Sequence, residues 1–463
     1  MDILLTHGYF LQDDEAEKRV MKPYPTLGIL YISAYLKSKG FHVEIFDSTF
    51  ESKEEFRRYV DSARPSIVGI YVNLMTKLNA LELITYCKSK GCTVIVGGPE
   101  IPFYGKEFIA HGADVGVIGE GELTLEELLP HLQKQGATGM QHIHGIMYRE
   151  TDGNVIRTPE RALIVDLDSI PHPDREAINL DRYIQTWRTA HGRGSVSLIC
   201  ARGCPFTCTW CSRSVFGDTH RRRSAKHVVD EIEMLIAEYR PDQLWFADDV
   251  FTINHRWFYS FYEEMKKRNI KIPFECISRA DRLNDDILQK MAEIGSFRIW
   301  YGSESGSQRI LDAMQRRVSV EQIRSITKLA QKHGIEAGLF IMLGYPGENL
   351  EDIDATIDHL KETNPDTYLT TVAYPIKGTT LYNEVEDQLI ITEEWEKATD
   401  RALNFKGRHS DRFYWFATRH MVNEVRFHQL MNNGRKQILP LVSSFAKSKV
   451  ARVGMKFTQR TMT

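Results

Sequence analysis

The sequence predicts an α/β protein in three parts: an amino-terminal doubly wound parallel sheet, a partial (β/α)6 barrel, and a helical carboxyl-terminal region. Three observations carry this prediction. From Met1 to about Gln135, short β-rich apolar runs alternate with amphipathic helical stretches. From Val196 to about Val385, a strand–helix unit repeats six times. From Glu386 the pattern turns helical and irregular. Nearly continuous apolar strands separated by helices argue for parallel sheets covered on both faces.

In the first part (1–135), Ile3-Leu4-Leu5 reads as a strand and Leu27 to Lys39 as a helix closed by Gly40. Val43 to Phe46, Ile67 to Val72, Val94 to Val96 and Val115 to Ile118 are further strands, with a helix at Leu78 to Lys88. Ligands of such sheets sit beyond the carboxyl ends of the strands. The loops there are Thr6-His7-Gly8, Asn73-Leu74-Met75-Thr76, Gly97-Gly98-Pro99-Glu100 and Gly119-Glu120-Gly121-Glu122. No G-x-G-x-x-G follows the first strand, which speaks against a nicotinamide site. Residues 136–194 form a connector. Gly145 to Thr158 reads as a hairpin around Asp152-Gly153, and Asp166 to Pro173 as an extended, proline-fixed strap. His172 and Asp174 are expected at the solvent or an interface.

In the barrel part (195–385) the strands are Val196 to Cys200, Leu244 to Ala247, Phe274 to Ser278, Phe297 to Tyr301, Ala337 to Met342 and Tyr368 to Ala373. Helices include Val228 to Tyr239, Asp285 to Ile294, Glu321 to His333 and Leu350 to Lys361. Right-handed crossovers roll such strands into a barrel, with catalytic groups at the strands' carboxyl ends. In the last part (386–463), aromatics crowd Phe413 to Phe416 and Phe427-His428 follow; they either cap the barrel mouth or pack as core. From Gly434 onward come Arg435, Lys436, Lys447, Lys449, Arg452, Lys456 and Arg460 with no acids, interspersed with Ile438, Leu439, Leu441, Val442 and Phe445. Such a tail is either solvated or rests on an anionic surface or membrane.

The 463 residues suffice for two or three domains with ample core. A net charge of −3 implies no general nucleic-acid coat. The start Met1-Asp2-Ile3 resembles no signal peptide, and no apolar run is long enough to span a bilayer. The expected location is a reducing, anaerobic or microaerobic cytoplasm.

The chemistry centres on Cys200-Ala201-Arg202-Gly203-Cys204-Pro205-Phe206-Thr207-Cys208-Thr209-Trp210-Cys211. Cys204, Cys208 and Cys211 make C-x3-C-x2-C. A closed iron–sulfur site needs four cysteines, and a structural zinc site needs four ligands, usually as two separated pairs. Three thiolates on one loop suit a [4Fe-4S] cluster with one iron left for a small ligand. Gly203 and Pro205 keep the segment a loop, so the thiolates can converge. Cys200 ends an apolar run and is taken as a strand residue; Cys87, Cys92 and Cys276 are core thiols.

With these residues the chain resembles the radical S-adenosylmethionine (SAM) enzymes, whose fingerprint places an aromatic before the last cysteine, here Trp210. The resemblance implies that the free iron chelates the methionine amino and carboxylate groups of SAM, and that the reduced cluster cleaves SAM to a 5′-deoxyadenosyl radical. It also gives roles to the other strand ends. Asp248 and Asp249 correspond to the acidic pair that accepts from the SAM amino group. Arg279 pairs with the SAM carboxylate, and Glu304 accepts from a ribose hydroxyl. The Gly344 to Glu348 turn, with Gly344 and Gly347, exposes backbone to adenine.

The first part resembles the cobalamin-binding domain that precedes many radical SAM cores, through Pro25-Thr26-Leu27-Gly28, Gly97-Gly98-Pro99 and Gly119-Glu120-Gly121-Glu122. The resemblance puts Asn73, Thr76, Gly97, Gly98, Gly119 and Glu120 around the cofactor. The D-x-H-x-x-G of some cobalamin proteins is absent, and His7 is expected to be a loop histidine. The layout is similar to the broad family containing the anaerobic magnesium-protoporphyrin monomethyl ester cyclase. The implied function is hydrogen abstraction from a small-molecule substrate, leading to cobalamin-dependent C-methylation or oxidative cyclisation. The electron donor would be a flavodoxin or ferredoxin, and no nucleic-acid partner is expected. Two alternatives stand beside it: a cobalamin-independent radical SAM dehydratase or oxidoreductase with an empty first domain, and a non-catalytic iron–sulfur regulator. RNA methylthiotransferases need a further cysteine triad that Cys87 and Cys92 cannot supply.

Overall fold

The structure, a computed structural model, describes residues 1–432 and 438–459. Gly434, Arg435, Lys436 and Arg460 of the basic tail lie outside the described residues. The chain divides into two compact units: Met1–Pro205, Ser212–Ala247 and Glu393–Arg401 make the first, and Phe206–Cys211, Asp248–Thr392 and Ala402–Thr463 the second.

The first unit is built on β1 (Ile3–His7), β2 (Val43–Phe46), β3 (Ile67–Tyr71), β4 (Thr93–Gly97), β5 (Val115–Val117), β6 (Ile146–Arg149) and β7 (Val155–Arg157). Their order is β2-β1-β3-β4-β5-β6-β7. β1 to β5 run parallel, in the register Leu4 opposite Val68 and Ile95 opposite Val115. The expected hairpin, β6–β7, joins this sheet antiparallel to β5. The interleaved helices are α1 (Glu15–Val20), α2 (Leu27–Ser38), α3 (Lys53–Ala63), α4 (Lys77–Ser89), α5 (Ile101–His111) and α6 (Gly121–Gln135). Local chemistry sets their ends. Ser52 and Glu55 form a reciprocal capping box at the start of α3, and Gly112 stops α5. Successive strand residues point to opposite faces. Ile3 and Leu5 pack with Leu30, Leu128 and Leu129 on one side, while Leu4 packs with Val68, Ile84 and Phe108 on the other. Each such buried side chain contributes roughly 1.5–3 kcal/mol.

The unit continues with α7 (Leu180–His191), capped by Asn179 and ended by Gly192. β8 (Ser195–Leu198) pairs parallel with β11 (Gln243–Phe246). Between them lie the antiparallel ribbon of β9 (Ala201–Arg202) and β10 (Arg221–Arg222), then α8 (Ala225–Tyr239). On α8, fully buried Glu231 accepts from Arg175 Nη2 at 2.7 Å and Arg223 Nη1 at 2.5 Å. The proline strap is not extended throughout. Asp166 Oδ1 accepts from Asp168 N at 3.1 Å and winds Leu167–Ser169 into one 3-10 turn. His172 is held within the unit, its ring stacked on His227 at 4.3 Å. The distant segment Glu393–Arg401 also belongs here. Buried Lys77 Nζ donates to the carbonyls of Trp395 and Ala398 at 2.5 and 2.7 Å, and Tyr104 Oη donates to Asp400 at 2.6 Å.

The second unit contains α9 (His255–Lys267), β12 (Phe274–Ser278), α10 (Asp285–Ile294), β13 (Ser296–Glu304), α11 (Gln308–Ala313), α12 (Val320–Lys332), β14 (Glu336–Leu343), α13 (Leu350–Thr363) and β15 (Thr367–Val372). β12 to β15 lie side by side and parallel, with a bulge between Gly302 and Glu304. Asn284, Ser319 and Asn349 cap α10, α12 and α13. α14 (Thr380–Val385), β16 (Leu389–Ile390) and β17 (Asn404–Phe405) lead to two long helices, α15 (Asp411–Asn432) and α16 (Ile438–Thr458). α16 folds back on α15, with His420 Nδ1 at 3.0 Å from Ser448 Oγ and Phe427 against Phe445. Phe413 and Tyr414 are core, as one of the two expectations had it, whereas Trp415 is exposed. Among the described residues, no helix is long and apolar enough to cross a membrane.

Candidate functional site

In the first unit, the ends of β1, β3, β4 and β5 open on a cavity of about 460 Å³, lined mostly by apolar side chains. It lies where the strand order reverses between β1 and β3, the place at which doubly wound sheets bind ligands. Of the expected set, Asn73, Gly97, Gly98, Gly119 and Glu120 line it, and Thr76 does not. Thr76 is buried behind the loop, its Oγ1 accepting from Asn73 N at 3.0 Å, while Asn73 Oδ1 accepts from the amides of Met75 and Thr76 at 2.9 and 3.0 Å. Gly98 has φ +120°, and a Cβ there would stand 2.2 Å from Val72 O, so only glycine lets the backbone turn at this wall.

Glu120 is already engaged. Its carboxylate accepts from Arg202 Nη1 at 2.7 Å, Arg221 Nη1 at 2.9 Å and the Ile164 amide at 2.7 Å. Glu122 accepts from Arg202 Nη2 at 2.5 Å. Burial works against the Arg202 charge, but Glu122 and Glu120 outweigh it and hold the proton above the usual guanidinium range. The loop after β5 is thereby tied to the β9–β10 ribbon, two residues before Cys204. Sequence reasoning misses the cavity residues Arg202, Ser197, Phe216 and Trp245. Only Arg202, beside the cysteine run, carries a signal in the chain itself.

A corrin is a broad, largely apolar ring with amide arms and a nucleotide tail. The cavity suits one in its chemistry: its walls are apolar, Gly98 stands where a side chain would collide, and the buried Ser197 Oγ on its wall has no partner among the described residues. No histidine is among the lining residues. His7 is not a loop residue but the buried last residue of β1. Its Nδ1 accepts from Tyr9 N at 3.2 Å, which leaves Nε2 to donate to Asp47 at 3.1 Å.

Within the second unit, the segment Phe206–Cys211 is pinned by Thr209. Its N and O bond Met314 O and Leu381 N at 3.2 and 2.8 Å, and its Oγ1 lies 2.6 Å from Tyr345 Oη. Trp210 packs on the apolar cluster of Met314, Met342 and Tyr345. Cys208 is buried, and its Sγ accepts from Arg316 Nη1 at 3.2 Å and faces Arg279 Nη1 at 3.9 Å. Cys204 and Cys211 are half-buried. Among the described residues, no group of three or more His, Cys, Asp or Glu side chains is placed to hold a metal ion. A four-iron cluster instead takes each thiolate on a separate iron. The donors fit it chemically: three cysteines on one loop, with two guanidiniums at Cys208 to offset the negative charge of a thiolate-bound cluster.

The expected SAM residues also belong to this unit. Asp248 is buried and Asp249 exposed. Arg279 is buried with its bonds spoken for: Nε donates to Asp281 at 2.8 Å, Nη2 to Arg316 O at 2.7 Å, and the guanidinium lies 3.7 Å over the Phe206 ring. Glu304 ends β13 with φ +57°, a left-handed backbone that costs a non-glycine residue about 1 kcal/mol or more. Burial pushes its carboxyl up, partly countered by Arg316 and Arg279. A Cβ at Gly302 would stand 2.2 Å from Glu304 Oε1, so that glycine makes room for the carboxylate. Gly344, at φ +77°, presses against the Tyr414 ring, and a Cβ at Gly347, at φ +80°, would meet Arg309 Nη1 at 3.8 Å. Sequence reasoning misses Arg316 and leaves Glu348 unassigned within a turn it singles out. Burial pushes the Glu348 carboxyl up to about 8; Oε2 accepts from Gly344 N at 2.6 Å, and Oε1 has no partner among the described residues.

Against known proteins, a profile of the radical SAM superfamily matches residues 198–360 and one of the B12-binding domain matches residues 19–129. The chain is 30% identical over 395 residues to the uncharacterized methyltransferase PH0819 of Pyrococcus horikoshii, covering 83% of this chain and 84% of that one. It is 28% identical over 376 residues to the anaerobic magnesium-protoporphyrin IX monomethyl ester cyclase of Rubrivivax gelatinosus, covering 79% and 67%. The fold is similar to that of the radical SAM methyltransferase TsrM of Kitasatospora setae, solved with cobalamin and a [4Fe-4S] cluster. The TM-score there is 0.73 at 15% identity, over 98% of this chain and 99% of that one.

Proposed function

The chain belongs to the radical SAM superfamily, among members with an amino-terminal B12-binding domain, and from this we propose that it is a cobalamin-dependent enzyme that methylates a carbon of a small molecule. The observation that carries the reading is the cavity at the β1/β3 reversal, walled by the glycine turns after β4 and β5 and bonded through Glu120 to the strand that leads into the cysteine loop.

Cys204, Cys208 and Cys211 would hold the cluster. Trp210, Asp248, Asp249, Arg279, Glu304, Gly344 and Gly347 would surround SAM, and Asn73, Gly97, Gly98 and Gly119 would cradle the corrin. When bound, these groups supply an electron, a 5′-deoxyadenosyl radical and a methyl carrier. The protein positions and excludes water. Arg316 and Arg279 donate toward Cys208 Sγ and fix its direction. The Glu120–Arg202–Glu122 bonds hold the approach to Cys204 rigid. The apolar cavity walls favour a largely apolar ring over water. Arg279 would reach a carboxylate only by exchanging one of its present partners. A one-electron donor of flavodoxin or ferredoxin type and a reducing compartment complete the proposal; none of the seven cysteines is disulfide-bonded.

Anaerobic reconstitution with iron, sulfide and hydroxocobalamin, followed by desalting, tests it. Retained corrin absorption and S-adenosylhomocysteine formed from SAM under reduction are expected; loss of the corrin bands on desalting rejects cobalamin dependence. The likeness to the magnesium-protoporphyrin cyclase favours a second reading, oxidative cyclisation, which would yield 5′-deoxyadenosine without S-adenosylhomocysteine.

A further inference from the structure

Helix α16 carries apolar residues where none should face water. Its inner face is small and packed: Ser444, Ser448, Ala451 and Met455 are buried, and Gly454 lies under Phe416. Half a turn away, Leu439, Val442, Ala446, Val450, Val453 and Phe457 follow one another at steps of three or four residues and are all exposed. Leu439 is 84% exposed, Val450 68% and Phe457 81%. The stripe runs the whole helix, about 30 Å at 1.5 Å per residue. A continuous exposed apolar band of this length marks an interaction surface.

Charge selects the occupant. Residues 433–463 contain seven Lys or Arg and no Asp or Glu. Arg452 is paired with Asp354 at 2.6 Å, whereas Lys447, Lys449 and Lys456 are exposed on α16 itself. Their methylene stems can lie along the apolar band with the ammonium groups at its margin. A second copy of the same face would set cation against cation with no acid on the helix to answer it. Among the described residues no helix, α16 included, is long and apolar enough to cross a bilayer. We propose that the outward face of α16 lies in the headgroup region of an anionic lipid surface, its stripe buried at the acyl boundary.

Co-sedimentation of the full chain with phosphatidylglycerol–phosphatidylcholine vesicles tests this, with pure phosphatidylcholine vesicles as the control. Binding to the anionic vesicles is expected, falling with added salt. Val442→Asp with Val453→Asp should lower the partition about tenfold or more. Lys447→Gln, Lys449→Gln and Lys456→Gln should each lower it roughly fivefold. None of these side chains is on the packed face, so circular dichroism and thermal midpoint should be unchanged. Absence of binding to anionic vesicles, equal binding to both vesicle types, or undiminished binding of the Asp variant overturns the proposal. So does a concentration-dependent dimer, seen by sedimentation without vesicle binding and dissolved by Val453→Asp, which gives the face to a second copy.

Discussion

Cys200 and Cys204 are separated by the same three residues as Cys204 and Cys208, yet the structure treats them differently. Cys200 is fully buried beyond β8, its carbonyl accepting from Arg223 N at 2.9 Å. Cys208 instead faces two guanidiniums. Cys208→Ala should therefore abolish SAM cleavage in a folded protein, while Cys200→Ala should keep full iron and sulfide content. Iron analysis and 5′-deoxyadenosine assay decide; the reverse pattern would falsify the ligand assignment. At Glu231, burial opposes the charge, but Arg223 and Arg175 outweigh it and hold the carboxyl at about 2. Its folded value is below its unfolded one, so its stabilisation is complete above the ordinary carboxyl range near 4.3 and fades as pH falls toward 2. Glu231→Gln should cost about 3–5 kcal/mol at neutral pH by stranding two buried cations. In urea titrations, the gap between wild type and variant should narrow across that acidic window.

At the scale of elements, the strands were legible because parallel, doubly covered strands are apolar throughout. The runs Ile67 to Val72 and Ala337 to Met342 fall on β3 (Ile67–Tyr71) and within β14 (Glu336–Leu343). The strap over Asp166 to Pro173 departs from its proline-based expectation because a single aspartate side chain recruits a backbone amide. The turn between β4 and α5 is the most exacting element of the cavity. Gly98→Ala would place its Cβ against Val72 O and force an L-residue to φ +120°, a strain of about 1–3 kcal/mol. Titration with hydroxocobalamin should show corrin affinity falling at least tenfold while iron content stays that of wild type; unchanged affinity would remove the Gly97-Gly98 turn from the site.

Across the whole molecule, the cavity and most of the cluster and SAM residues fall in different units. Every lining residue of the cavity belongs to the first unit, as does Cys204, whereas Cys208, Cys211, Trp210 and the expected SAM residues belong to the second. Cobalamin retention is thus expected to be independent of the cluster. The Cys208→Ala protein, or wild type stripped of iron by chelation, should keep its corrin bands after desalting; joint loss of both would show that the cavity needs the cluster to form.

The residues alone determined the strand–helix alternation, the three-thiolate motif and the glycine loops, because periodicity and spacing are local properties of a chain. Tertiary structure alone decided that Glu120 is spent on Arg202 and Arg221, that Arg316 reaches Cys208, that Lys77 holds the remote Trp395 segment, and that the stripe on α16 faces outward. Each of these joins positions far apart in sequence, or depends on which face of a helix finds a partner. Burial and ion pairing of that kind exist only once the chain has folded.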